Sequence, residues 1–338
     1  MKLATISVEN PKSVSQRRDG RLVVLAPDEK TAGLVPHSEF PNLLEAIESW
    51  SDAEPRLREI ESALADGSWK DSISMEGTNF MAPLPRTWSW IDGSAFIQHI
   101  VLVRKARGAE PPEDLKTVPL MYQGISDNFL GPKDDIQVVD EAHGVDFEAE
   151  VAVILDEVPM GTKAADALKH VKLLLLMNDV SLRMLIPREL KAGFGFFHGK
   201  PVSSFAPYAV TPDALKDVWK DGRLNLEMRS TYNGELYGHP NAAEMFFGFH
   251  QLIEHAAKTR TLPAGTIVGT GTVSNEDETV GSSCLAEKRM LEKINTGEIK
   301  TPFMKIGDSI RIEMEHQGKS VFGAIDQKVA AAKTSVTA

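Results

Sequence analysis

The stretch GVDFEAEVAVIL, Gly144 to Leu155, decides how this chain reads. Taken as one strand, it alternates. Val145, Phe147, Ala149, Val151 and Val153 point one way, and Asp146, Glu148 and Glu150 point the other. Alternate residues of a strand lie about 6.6 Å apart. At an effective dielectric of about 20, two such carboxylates repel by roughly 2–3 kcal/mol. Water absorbs that cost on an exposed edge, which is the ordinary reading of such a face. Here the stretch continues into Val151-Ala152-Val153-Ile154-Leu155, with no polar face, so it is predicted to run into the core. Buried carboxylates must hold a proton or meet a cation. A hard divalent ion suits them, because Mg2+ and Ca2+ take carboxylate oxygens.

Two other regions supply partners for that site. In LLLLMNDVSLR, Asp179 leaves a second apolar run and Arg183 follows it. Asp179 reads as a further ligand, against the alternative of a helix cap or turn residue. WSWIDGSAFIQHIVLVRKARG carries Asp92, His99, Arg104 and Arg107. His99 is the side chain best suited to act as a general base near neutral pH.

The whole chain sets wide bounds. Its 338 residues allow one large domain and a smaller one, and 42% hydrophobic with 25% charged residues is an ordinary globular composition. Acidic residues outnumber basic ones 48 to 37, for a net charge of -11, which argues against nucleic acid or anionic membrane as partners. The single cysteine, Cys284, excludes a disulfide framework and fits a reducing cytoplasm. The start, MKLATISVEN, lacks the apolar core of a signal peptide, and the longest apolar run, VKLLLLM, is too short to span a bilayer.

Element signals predict a strand-rich α+β protein. A strand is expected within 18–28, helices over 41–50 and 54–67, and a linker at 81–90 that places a domain boundary near residue 80. Beyond it, 164–179 reads as a helix or a buried helix-to-loop segment, and 241–259 as a helix. Strands are expected at 266–273 and 309–325, the latter a hairpin turning at Gln317-Gly318. The division is then 1–80, 81–330 and a frayed tail at 331–338. No Gly-rich nucleotide-binding loop is present.

Taken together, these blocks resemble the fumarylacetoacetate hydrolase family over roughly residues 85–330. VDFEAEVAVIL resembles the family's metal strand and puts two ligands on Glu148 and Glu150; MNDVSLR puts another on Asp179. FHGK carries the family lysine at Lys200, GTGTVSN its threonine at Thr272, and LAEKRMLE its water-orienting glutamate at Glu287. Asp92 followed by Gln98-His99 resembles the fumarylacetoacetase-like branch, with Asp92 a fourth ligand and His99 the base. PLMYQG resembles the block with a substrate-contacting tyrosine, here Tyr122.

The resemblance implies a mixed β-sandwich or β-roll C-terminal domain behind a smaller N-terminal domain. It implies a homodimer that hydrolyses a carbon–carbon bond in a small anionic β-diketo acid such as fumarylacetoacetate. Mg2+ or Ca2+, or else Mn2+, would be the cofactor. Lys200 and Tyr122 would help the developing charges, Arg183 would support the ligand carboxylates or the substrate, and Arg104 or Arg107 stands near the place of the family's substrate arginine. Two positions depart from the pattern: Ile186 replaces a substrate-contacting glutamine and Ser94 a tyrosine. Acylpyruvate hydrolysis, oxaloacetate decarboxylation and hydration or isomerisation of a 2-oxo-enoic acid are the alternatives with the same ion. A non-catalytic ion-binding protein is the alternative of another class.

Overall fold

The acidic stretch lies at the centre of the fold, in two pieces. Val145–Asp146 pairs with Ser181–Leu182, and Ala149–Leu155 pairs antiparallel with Val171–Asn178. One continuous strand was expected. The ladder breaks at Phe147-Glu148 because the Asn178 side-chain carbonyl takes the Glu148 backbone N–H at 3.0 Å, in competition with a backbone acceptor. The alternation survives the break: Phe147, Val151 and Val153 enter one core, and Ala152 and Ile154 the other.

The structure is a computed structural model that describes residues 1–106, 110 and 113–333. Among these residues the main sheet has 11 strands. Its order is Ser72–Ser74, Thr31–Leu34, Arg21–Leu25, Lys2–Ile6, Tyr208–Val210, Val171–Asn178, Ala149–Leu155, Ile267–Gly269, Trp90–Gly93 and Met121–Gly124, with Ser204–Phe205 beside Val171–Asn178. The strands of the first 80 residues therefore extend the central sheet, through the register Lys2 opposite Val210. Ile267–Gly269 and Trp90–Gly93 run parallel to each other.

A second sheet of five strands holds the hairpin Ser309–His316 and Lys319–Ala331. The hairpin turns at Gln317 and Gly318, both with positive φ, as a tight two-residue turn requires. Its final strand runs through Ala331, one residue into the segment where the sequence suggests a tail. Ile310, Ile312, Phe322 and Ile325 of this sheet share a core with Phe147, Val151, Val153, Leu174 and Leu176. The opposite face of the main sheet is covered by the helices Leu43–Glu48 and Trp50–Ala65, through Leu43, Ile47, Leu57 and Ile60.

One helix expectation is overturned and another is shortened. Within 164–179 only Ala164–Ala167 and a short 3-10 turn are helical, and Val171–Asn178 is a strand. A strand buried on both faces loses its alternation, so four consecutive leucines carry no period to separate it from a helix. Within 241–259 the helix is only Phe249–Ala256, opened by Gly248. Phe246, inside the expected helix range, lies before the helix and is exposed.

Gly269 lets the site strands approach one another. A Cβ there would lie 2.4 Å from Trp90 Cη2 and 2.7 Å from Asp92 Oδ1. Gly269→Ala is therefore expected to destabilise the protein by about 1–3 kcal/mol, as overpacking does. Urea denaturation measures this; an unchanged midpoint would show that the strands part without cost.

Candidate active site

The broken strand gives its three acids three different partners. Asp146 is fully buried. Its Oδ1 accepts from Leu285 N at 2.7 Å and its Oδ2 from Ala286 N at 2.9 Å, the first amides of the helix Leu285–Thr296. A carboxylate there satisfies orphan N–H groups and faces the positive end of the helix dipole. Oδ2 also accepts from Arg183 Nε at 2.7 Å. Arg183 reaches on to Glu148, with Nη2 2.6 Å from Oε1. Lys200 bonds the other oxygen of Glu148. Burial raises the Glu148 pKa, but the charges of Arg183 and Lys200 outweigh it, and the net shift is well below the usual carboxylate range.

Among the described residues, Glu150 meets no cation of its own. It forms a cluster with Asp92 and Asp179 in which one oxygen of each lies within 4.8 Å of the others. Gly271 N donates to Asp92 Oδ1 at 2.9 Å and to Glu150 Oε2 at 3.1 Å. Glu150 Oε1 is buried without a partner. Asp179 is better supplied: Ser203 Oγ donates to its Oδ1 at 2.8 Å, and Tyr122 Oη and Lys200 Nζ each donate to its Oδ2 at 2.6 Å. Burial, then the charge of Asp179, pushes Asp92 up to about 8; burial, then Asp92, raises Glu150 well above its ordinary value. An all-oxygen set with an orphaned oxygen fits a hard divalent cation. Asp92, Glu150 and Asp179 are the residues placed to hold it. Glu148, the other ligand expected, lines a pocket with Asp92 but is turned to its two cations.

His99 sits on the helix Ile97–Ala106, which packs on the helix carrying Glu287. Its Nδ1 lies 3.2 Å from Glu287 Oε2. Glu287 is buried, and its Oε1 accepts from Ser274 Oγ at 2.8 Å. With Nδ1–H donated to Glu287, Nε2 is left as an acceptor. His99 and the acids Asp92 and Glu148 line one cavity of about 470 Å³, together with Arg104, Tyr122, Arg183, Lys200 and Thr272. Ser94 and Ile186 line it too. Arg104 also donates to the Glu110 carbonyl at 3.3 Å. Arg107 lies outside the described residues.

Four contributors are given no role by the sequence reading: Ser203, Ser274, the Gly271 amide and Asp146. Asp146 stood in the acidic run, yet strand alternation says nothing of a helix 139 residues further along the chain. Ser203 follows Lys200 by three positions, and only the packed site shows that both serve Asp179.

A pH test follows from the cluster. Asp92 keeps its proton to about pH 8 when folded, against an ordinary value of 3.8. Between those values the folded state binds a proton that the unfolded state does not. The stability of EDTA-treated protein is therefore expected to fall as pH rises through that window. Mg2+ competes with these protons, so its stabilisation grows with pH. Melting temperatures with Mg2+ and with EDTA, at about pH 6 and pH 8, check this; an equal Mg2+ effect at both would remove Asp92 and Glu150 as ligands.

Among the described residues no helix is long and apolar enough to cross a membrane. Residues 1–86 match the model of the fumarylacetoacetase N-terminal domain 2 and residues 89–330 that of the fumarylacetoacetate (FAA) hydrolase C-terminal region. A mitochondrial oxaloacetate tautomerase of Xenopus laevis is 29% identical over 205 residues, 59% of this chain but only 56% of that protein. A fumarylacetoacetate hydrolase domain-containing protein 2 homolog of Dictyostelium discoideum is 27% identical, over 74% of this chain and 75% of its own. The solved fumarylacetoacetate hydrolase of Exiguobacterium antarcticum superposes with a TM-score of 0.65 at 18% identity, covering 98% of this chain and 100% of that one, and at that identity the likeness speaks for the fold alone. With the catalytic-region match spanning residues 89–330 on a strand-rich α+β fold, this chain belongs to the fumarylacetoacetate hydrolase family.

Proposed function

We propose that this protein is a divalent-ion-dependent hydrolase that cleaves a carbon–carbon bond in a small β-diketo acid such as fumarylacetoacetate or fumarylpyruvate. The observation that carries the reading is that His99, paired with Glu287, lines the same cavity as Asp92 of the acid cluster. Asp92, Glu150 and Asp179 would hold Mg2+ or Ca2+, which would supply Lewis-acid polarisation of carbonyl oxygens. His99 Nε2 takes a proton from water, and Glu287 stabilises the imidazolium and fixes its tautomer. The water oxygen bonds to the acyl carbon, the bond between that carbon and its neighbour breaks, and a proton ends on the departing carbon. Lys200 and Tyr122 face the developing negative charge, with Arg183 behind Glu148. Arg104 and Thr272 border the cavity where the anionic substrate is held.

A second reading is proton transfer without cleavage, the keto–enol tautomerisation of oxaloacetate. The name of the Xenopus relative favours it, and the same base serves it. Decarboxylation of oxaloacetate is a further use of the same residues. A homodimer in the cytoplasm completes the proposal.

Purified protein with Mg2+ is to be given fumarylacetoacetate, fumarylpyruvate and oxaloacetate. Loss of diketone absorbance in either of the first two supports the hydrolase; action on oxaloacetate alone would overturn it in favour of the second reading. His99→Ala is expected to lower kcat by about 10²–10⁴-fold with Mg2+ affinity unchanged. Turnover surviving in that variant would show that His99 is not the base.

A further inference from the structure

Cys284 has no part in that chemistry, yet it stands against the base. It is the N-cap of the Glu287 helix, fully buried, and its Sγ accepts from Glu287 N at 3.4 Å. One ligand atom each of His99, Cys284 and Glu287 lies within 4.8 Å of the others. This nitrogen, sulfur and carboxylate set differs in kind from the all-oxygen cluster of Asp92, Glu150 and Asp179. Hard cations select oxygen; thiolate and imidazole select Zn2+ and its softer relatives. Three protein ligands with one open position also match the coordination that zinc accepts outside closed structural sites. The charges balance, since one thiolate and one carboxylate neutralise a dication in a buried place.

We propose that His99, Cys284 and Glu287 form a second, thiophilic metal site, at which Zn2+ or Cd2+ binds and blocks the base. On binding, the Cys284 thiol releases its proton to solvent. His99 gives its Nδ1 lone pair to the ion, and its remaining ring proton sits on Nε2. Nε2 then has no lone pair for the proton of water. No electron transfer is involved, and chelation reverses the change. The site stands on its own geometry; its effect on turnover rests on His99 being the base.

The chain has one cysteine, so any thiolate-to-metal signal belongs to Cys284. The full chain, with saturating Mg2+ to fill the oxygen cluster, is to be titrated with Cd2+. The expected result is an ultraviolet sulfur-to-cadmium charge-transfer band that saturates at one ion per chain and vanishes on adding EDTA. Cys284→Ser abolishes the band. His99→Ala and Glu287→Gln keep the sulfur but weaken Cd2+ binding by at least about tenfold. Circular dichroism confirms that each variant is folded. No band in the folded wild type, or unchanged Cd2+ affinity in both His99→Ala and Glu287→Gln, overturns the site whatever substrate the enzyme uses. If the site binds, inhibition by Zn2+ is expected in the active protein and should be lost in Cys284→Ser. Zinc inhibition that persists there would overturn the proposed block.

Discussion

Burying three carboxylates within five residues of chain, Asp146 to Glu150, is the constraint on which the rest of this structure depends. None can stay ionised in the core without compensation. Asp146 finds two backbone amides and Arg183; Glu148 finds Arg183 and Lys200; Glu150 finds only an amide and two other acids. The stretch therefore grades from full satisfaction at Asp146 to an unsatisfied oxygen at Glu150. The unsatisfied end lies in the cluster with Asp92 and Asp179, and incomplete electrostatics of this kind marks a candidate functional site.

The same constraint links the site's two halves. Asp146 holds the first amides of the helix that carries Glu287, and Glu287 orients His99. Arg183 ties Asp146 to Glu148. The carboxylate stretch and the His99–Glu287 pair are thus joined by hydrogen bonds as well as by packing. On the other side, the parallel pair Ile267–Gly269 and Trp90–Gly93 sets Asp92 next to the Gly271 amide that also serves Glu150. A side chain at Gly269 would keep those strands apart.

Much of the fold was legible where pattern and composition agree. The hairpin at Gln317-Gly318 and the N-terminal helices follow from turn chemistry and helical spacing. The leucine run before Asp179 was not legible, because a strand covered on both faces has no period. The helix containing Phe249 was read too long, because apolar residues continue back through a separate 3-10 turn, Ala242–Glu244, and the segment that joins it to the helix. Glu148 and Glu150 are alike in the sequence, and their opposite environments depend on Lys200 and Arg183, whose positions come from other segments.

The sequence alone determined which residue types could meet: hard oxygen ligands on a strand bound for the core, a histidine near one of them, a lysine and an arginine to balance charge. That follows from local alternation, which fixes the face on which each side chain lies. Only the tertiary structure decided who meets whom. It turned Glu148 to cations, left Glu150 Oε1 bare, made Asp146 a helix clamp and placed Cys284 beside His99 and Glu287. The reason is that electrostatic and hydrogen-bond partners are chosen over a few ångströms, between segments that lie far apart along the chain.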